Sequence, residues 1–128
     1  MRRDMLKSKI HRATVTQTRL DYEGSITVDR SLCARADLRE FERVEVYNVN
    51  TGARFATYVL LGGPGEVCVN GAAARLAAAG DKVIIASYAS YEDGELSGHA
   101  PLVVKCAEPE GLGGPDRACG CRSDTGRG

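Results

Sequence analysis

Val44-Glu-Val-Tyr-Asn-Val-Asn-Thr-Gly-Ala-Arg-Phe-Ala-Thr-Tyr-Val-Leu60 carries two alternating, β-rich runs on either side of Asn50-Thr-Gly52. Period-two alternation around a glycine-bearing turn predicts a β-hairpin. In a regular strand Arg54 and Tyr58, four residues apart, share one face and Thr57 points to the other. The same strand chemistry recurs outward from this hairpin. Residues 5–16 show no helical stripe, and Ile10, Thr14, Val15 and Thr16 favour an extended segment with Lys7, Lys9 and His11 on one face. Tyr22-Glu-Gly-Ser25 is a turn signal before Ile26-Thr-Val28, which predicts a first hairpin. Downstream, Glu66–Val69, Lys82–Tyr88 and Leu102–Cys106 predict further strands, with Lys82–Tyr88 the most buried.

Two short helices interrupt this pattern. Asp29 can cap Ser31–Ala36, and Asn70 can cap Gly71–Ala79, which Gly80 ends. Six or seven short strands with two short helices within residues 1–106 predict a mainly β chain, a small closed barrel and not an open α/β sheet. Residues 107–128 hold six of the 15 glycines, two prolines and scattered charge. Such a composition buries too little apolar area to offset the entropy of ordering, so a flexible tail is expected there.

Composition limits the function classes. With 128 residues and 43% hydrophobic content the chain fits one domain with one modest core. Seventeen basic residues balance 17 acidic ones, and five Tyr, two Phe and no Trp offer little stacking surface, which disfavours nucleic-acid binding. No apolar run approaches the ~20 residues that cross a bilayer, and the charged start does not turn hydrophobic as a signal peptide would; no membrane association and a cytoplasmic location are expected. Cys33, Cys68, Cys106, Cys119 and Cys121 are odd in number and irregular in spacing, which argues against a disulfide framework. Cys33, Cys68 and Cys106 read as small core residues. Cys119-Gly-Cys121 lacks the second ligand pair of a zinc site, so no metal is expected.

Five segments in series resemble the aspartate 1-decarboxylase family: residues 5–16, Tyr22-Glu-Gly-Ser25, residues 51–58 (Thr-Gly-Ala-Arg-Phe-Ala-Thr-Tyr), residues 69–74 (Val-Asn-Gly-Ala-Ala-Ala) and residues 80–87 (Gly-Asp-Lys-Val-Ile-Ile-Ala-Ser). The resemblance implies a six-stranded double-psi β-barrel with short helices over residues 1–106, assembled as a homotetramer with active sites between subunits. It further implies a proenzyme that cuts itself between Gly24 and Ser25 into residues 1–24 and 25–128 and turns Ser25 into a covalent pyruvoyl cofactor; whether a maturation protein is a further partner stays open at this point. The activity implied is decarboxylation of L-aspartate to β-alanine and CO2 in pantothenate and coenzyme A synthesis. Two features depart from the family pattern: the loop 61–66 is about two residues short, and nothing matches the tail.

The chemistry asks for these residue types. A serine hydroxyl after glycine can attack the preceding carbonyl, since glycine leaves the approach open. The resulting ketone condenses with an amine as a Schiff base and takes up the electrons that CO2 leaves behind, which no coded side chain does. By the resemblance, Thr57 holds the Gly24 carbonyl for cleavage, Tyr58 donates the proton, Arg54 and Lys9 bind the side-chain carboxylate, and Asn70, Gly71, Ala72 and Ala73 meet the substrate. His11 and Tyr22 are further candidates. Bland readings stand beside these: Gly24-Ser25 as a plain turn, Asn70 as a helix cap, Ala72 and Ala73 as helix formers, Lys9 and His11 as a solvated face, Tyr22 as packing. Two rival functions also fit a small barrel: a non-catalytic binding module, or a pyruvoyl decarboxylase of another acidic amino acid.

Overall fold

A computed structural model describes residues 1–106 and the backbone of 121–124. The strands are β1 (Arg2–Thr14), β2 (Gln17–Arg19), β3 (Ser25–Asp29), β4 (Arg43–Asn48), β5 (Arg54–Gly62), β6 (Val67–Asn70), β7 (Lys82–Glu92), β8 (Leu102–Cys106) and β9 (Cys121–Asp124). One α-helix, α1 (Arg30–Arg35), and short 3-10 helices at Gly71–Leu76 and Asp93–Glu95 complete the described elements. The strands form one mixed sheet in the order β2-β6-β3-β5-β4-β7-β1-β8-β9. The mainly β expectation holds, with nine strands among the described residues where six or seven were expected. Of the expected tail, residues 107–120 (Cys119 among them) and 125–128 lie outside the described residues, while 121–124 pair antiparallel with β8.

The hairpin at residues 44–60 forms as its alternation predicts: β4 and β5 pair antiparallel from Arg43↔Tyr58 to Tyr47↔Arg54, and Gly52 takes a φ of +84° in the turn. The first expected hairpin does not form. β6 lies between β2 and β3, parallel to β2 and antiparallel to β3, so the turn at residues 20–24 bridges two strands that never pair. A turn signal reports only that the chain bends; Val67-Cys-Val69 is fully buried, and apolar burial draws it between the two.

Asp29 caps α1 as expected, accepting from the Ser31 amide at 2.7 Å, while its second oxygen accepts from the Gly65 amide at 2.8 Å. Burial pushes this carboxyl up, and the hydrogen bonds from Gly65 and Ser31 outweigh it, holding it below its ordinary value. The same contact ties the short loop 62–66 to the helix. The second expected helix is a 3-10 turn ending at Leu76, and Asn70 makes no side-chain cap there. Gly71, at φ +73°, cannot begin a regular α-helix, and the Asn70 amide is committed elsewhere.

The core lies on one face of the sheet. Ile10, Ile26, Val44, Val59, Val69 and Ile85 are each at most 1% exposed, and burial of each contributes roughly 1.5–3 kcal/mol. Cys33 and Cys68 are buried and Cys106 packs against the core, all as free thiols. β1 bulges between Leu6 and Ser8 and again between Ile10 and Ala13, where Arg12 adopts φ +64°. The residues Val15 and Thr16 carry the chain from β1 to β2: the Val15 amide donates to Asp81 O at 2.9 Å and the Thr16 amide to Val67 O at 2.7 Å.

Candidate active site

Ser25 opens β3 directly opposite Asn70, which closes β6, and both side chains are essentially inaccessible at 0% and 1% exposure. The Asn70 Nδ2 donates to Ser25 Oγ at 2.8 Å and to Thr27 Oγ1 at 3.1 Å, and Asn70 Oδ1 accepts from Cys68 Sγ at 3.1 Å. A side chain that sequence spacing makes a helix cap therefore serves the buried serine instead. Gly71 follows in a left-handed conformation, and a Cβ there would stand 2.6 Å from Gly24 Cα and 2.9 Å from Tyr22 O. Gly24 itself has open space around its missing Cβ and no left-handed torsion. The glycine required by packing is thus Gly71, which cradles the Gly24–Ser25 bond, while Gly24 leaves its carbonyl uncrowded.

β5 runs parallel beside β3, and because Ile26 pairs with Val59, the preceding step brings Tyr58 alongside Ser25. The unbroken β4–β5 register keeps Thr57 on the opposite face, paired with Val44. No hydrogen bond joins Thr57 to Gly24 or Ser25 among the described residues. Tyr58 leans on the exposed Phe41 ring at 6.4 Å. Arg54 shares the Tyr58 face but sits four residues away, about 13 Å along a strand. Its guanidinium stacks 4.1 Å from the Tyr47 ring centre, and the Tyr47 hydroxyl meets that of Tyr88 at 2.9 Å.

The remaining predicted residues scatter. Lys9 pairs with Ala86 and Val103, and β1 is separated from β3 in the sheet by β5, β4 and β7. His11 pairs with Lys105, and its Nδ1 is buried without a hydrogen-bond partner. Burial lowers the His11 pKa below its ordinary value, and the charges of Lys9, Arg12 and Lys105 lower it further. Tyr22 is half exposed, with the Arg19 guanidinium 5.5 Å from its ring. Ala72 is exposed and Ala73 packs against the core. An open cleft of about 740 Å³ lies on the β4–β7–β1 face, lined by Asp4, Arg43, Glu45, Tyr47 and Tyr88 among others, and contains none of the predicted residues. Among the described residues, no group of three His, Cys, Asp or Glu side chains is arranged to hold a metal ion.

One chain therefore unites Ser25, Gly24, Asn70, Gly71 and Tyr58, and leaves Arg54, Lys9 and His11 apart. Thr27, Cys68 and Tyr47 belong to these clusters and escaped the sequence reading. Period two exposes the first pair: Thr27 lies two after Ser25, and Cys68 two before Asn70.

Fold and site together define a class: a small mixed β-sheet enzyme built around a buried serine that follows glycine and is held by an asparagine amide. The aspartate decarboxylase family pattern matches residues 1–111. An aspartate 1-decarboxylase of Clostridium acetobutylicum is 58% identical over 106 residues, covering 81% of this chain and 84% of that relative. One from Syntrophobacter fumaroxidans is 56% identical over 106 residues, and one from Cupriavidus necator is 49% identical over 114 residues, the latter spanning 88% of this chain and 95% of its own length. The chain belongs to the aspartate decarboxylase family.

Proposed function

We propose that this chain is a proenzyme that cleaves its own Gly24–Ser25 bond and then decarboxylates L-aspartate to β-alanine and CO2, feeding pantothenate synthesis in the cytoplasm. In the cleavage, Ser25 Oγ attacks the Gly24 carbonyl carbon; the C–N bond breaks, a proton passes to the Ser25 nitrogen, and the amide becomes an ester. Loss of the Ser25 α-proton then expels the Gly24 carboxylate and leaves a dehydroalanine. Its imine tautomer takes up one water and releases ammonia, so that residues 25–128 begin with a pyruvoyl group.

The residues present fit that group. Ser25 is sealed from solvent, its Oγ receives a neutral amide donor at 2.8 Å, and the missing side chain of Gly71 leaves the bond to be cut in a close backbone cradle. The pyruvoyl carbonyl, once formed, supplies the electron sink that loss of CO2 from an α-amino acid requires. Tyr58, next to Ser25 on the neighbouring strand, is the group to deliver a proton there. Arg54, with a planar fork, and Lys9, with a point charge, bind the second carboxylate.

We infer also that the sheet closes into a double-psi barrel. β2 begins the strand order and β1 lies near its other end, yet only Val15 and Thr16 separate them, and their amides reach Asp81 and Val67 beside β7 and β6. The insertion of β6 between β2 and β3 supports a ψ-type connection. The distance of Arg54 and Lys9 from Ser25 favours a site completed by another subunit of a homotetramer. The exposed Phe41 beside Tyr58 gives that contact an apolar surface.

The Asn70–Ser25 hydrogen bond carries this reading, and intact mass tests it. Purified protein should separate on denaturation into residues 1–24 and a 25–128 chain without an ordinary amine at its start. Only full-length chain with unmodified Ser25 after prolonged warm incubation overturns unaided self-cleavage.

A further inference from the structure

The register of β3 on β6 sets Ser25 opposite Asn70 and Thr27 opposite Cys68, so four polar side chains form the corners of a square across two adjacent strands. Three of the corners are closed to water: Ser25 is 0% exposed, and Cys68 and Asn70 are 1% exposed. Every corner bonds through Asn70: Nδ2 to Ser25 Oγ at 2.8 Å and Thr27 Oγ1 at 3.1 Å, Oδ1 from Cys68 Sγ at 3.1 Å. We propose that Thr27 and Cys68 are positioning residues for the Gly24–Ser25 cleavage, acting through Asn70 to fix the orientation of the Ser25 hydroxyl.

The argument turns on the near-symmetry of an amide. Its two ends have nearly the same shape, and a flipped Asn70 would present Oδ1 to both hydroxyls and draw the Ser25 proton toward itself. A donor on the far side selects one orientation. Cys68 is that donor: burial pushes its thiol up, so it keeps the proton that the Asn70 oxygen receives. Thr27 holds the second Nδ2 hydrogen, which stops the amide from swinging away from Ser25. With the amide held, Ser25 Oγ accepts a hydrogen bond from Nδ2 and keeps its own proton free to leave as the oxygen attacks the Gly24 carbonyl. The donated hydrogen bond also stabilises the negative charge that develops on Oγ. Since water cannot reach Ser25, Asn70 or Cys68, a partner lost among these three is not replaced.

This inference rests on the proposed self-cleavage, and one set of variants separates the two. The full chain and its Thr27→Val, Thr27→Ser, Cys68→Ala and Cys68→Ser variants are incubated, and the fraction cleaved at Gly24–Ser25 is followed by intact mass, with thermal melting to confirm folding. The valine and alanine variants should cleave about tenfold more slowly than the parent. The two serine variants, which restore a hydroxyl acceptor at position 27 and a hydroxyl donor at position 68, should return to within about threefold, a rescue that a packing role does not give. Folded valine and alanine variants that cleave at the parent rate overturn the proposal, as do serine variants as slow as their apolar counterparts. Should Cys68→Ala fail to fold, the Thr27 pair decides on the same criteria. A parent chain that stays uncleaved instead overturns the self-cleavage reading beneath it.

Discussion

The β3–β6 junction and the outer face of β5 hold the two halves of the proposed site in contrasting ways. At the junction Ser25 and Asn70 are sealed and hydrogen-bonded to each other within one chain. On β5, Arg54 is exposed and stacked on Tyr47, and Tyr58 leans on an exposed Phe41. Under the proposed function, the difference teaches that bond cleavage, which needs only the chain's own atoms, is built as core. Substrate capture needs access from water, and the residues proposed for it stand on a surface. A neutral amide is the suitable partner in the sealed half, because an isolated charge there costs several kcal/mol of desolvation.

The contrast breaks most completely at Ser25. Ser25→Ala removes the nucleophile while leaving the strand intact, and the chain should stay full length by intact mass and release no CO2 from aspartate. A variant that still cleaves would move the chemistry to another bond. Gly71→Ala comes next. A Cβ there meets Gly24 and Tyr22 backbone at 2.6–2.9 Å from a φ of +73°, and backbone cannot yield as a flexible side chain does. Strain of this kind costs about 1–3 kcal/mol. A lower melting temperature should accompany slowed cleavage, whereas Gly24→Ala, with open space at its Cβ, should melt close to the parent.

Gly71 also marks where sequence legibility ends. Most strands, though not β2 or β9, the residue 44–60 hairpin, the Asp29 cap and the family resemblance were readable, because alternation, turn residues and caps are local signals. Nothing local says that β6 inserts between β2 and β3, and the Tyr22–Ser25 turn therefore reads as a hairpin that does not exist. The same blindness affects Asn70: beside Gly-Ala-Ala-Ala an asparagine is a good cap, and only the β3–β6 register reveals that its amide faces Ser25. Thr57 was expected to face away from Arg54 and Tyr58, and the unbroken register keeps it there. With no bulge in that register, its proposed role toward Gly24 calls for a bend or the geometry of a neighbouring subunit. Tyr47 was invisible for a related reason, since its stacking under Arg54 is a cross-strand contact.

On the open half, Arg54→Ala should leave cleavage intact and weaken capture of aspartate. A charge-assisted, two-pronged contact is worth about 1.5–3 kcal/mol, so kcat/KM should fall roughly tenfold to a hundredfold, mainly through KM. Equal losses in cleavage and in turnover would erase the division between the halves. Tyr47→Leu, which removes the ring beneath the guanidinium, should move KM in the same direction by less, about twofold to fivefold.

The smallest effect concerns His11, which shares the Lys9 side of β1 and sharpens what kind of surface this is. Burial first, and then Lys9, Arg12 and Lys105, lower its pKa below the ordinary imidazole value. The folded chain therefore binds this proton less readily than the unfolded chain, and stability must rise with pH across the interval between the two values. The contribution is complete above the ordinary value of about 6.5 and disappears as pH falls through the lower folded one. An NMR titration should place the His11 midpoint below that ordinary value. His11→Gln, which cannot take up the proton, should lose less stability than the parent between pH 7 and pH 5 in denaturant melts. A midpoint at or above the ordinary value would mean that an acidic group faces His11.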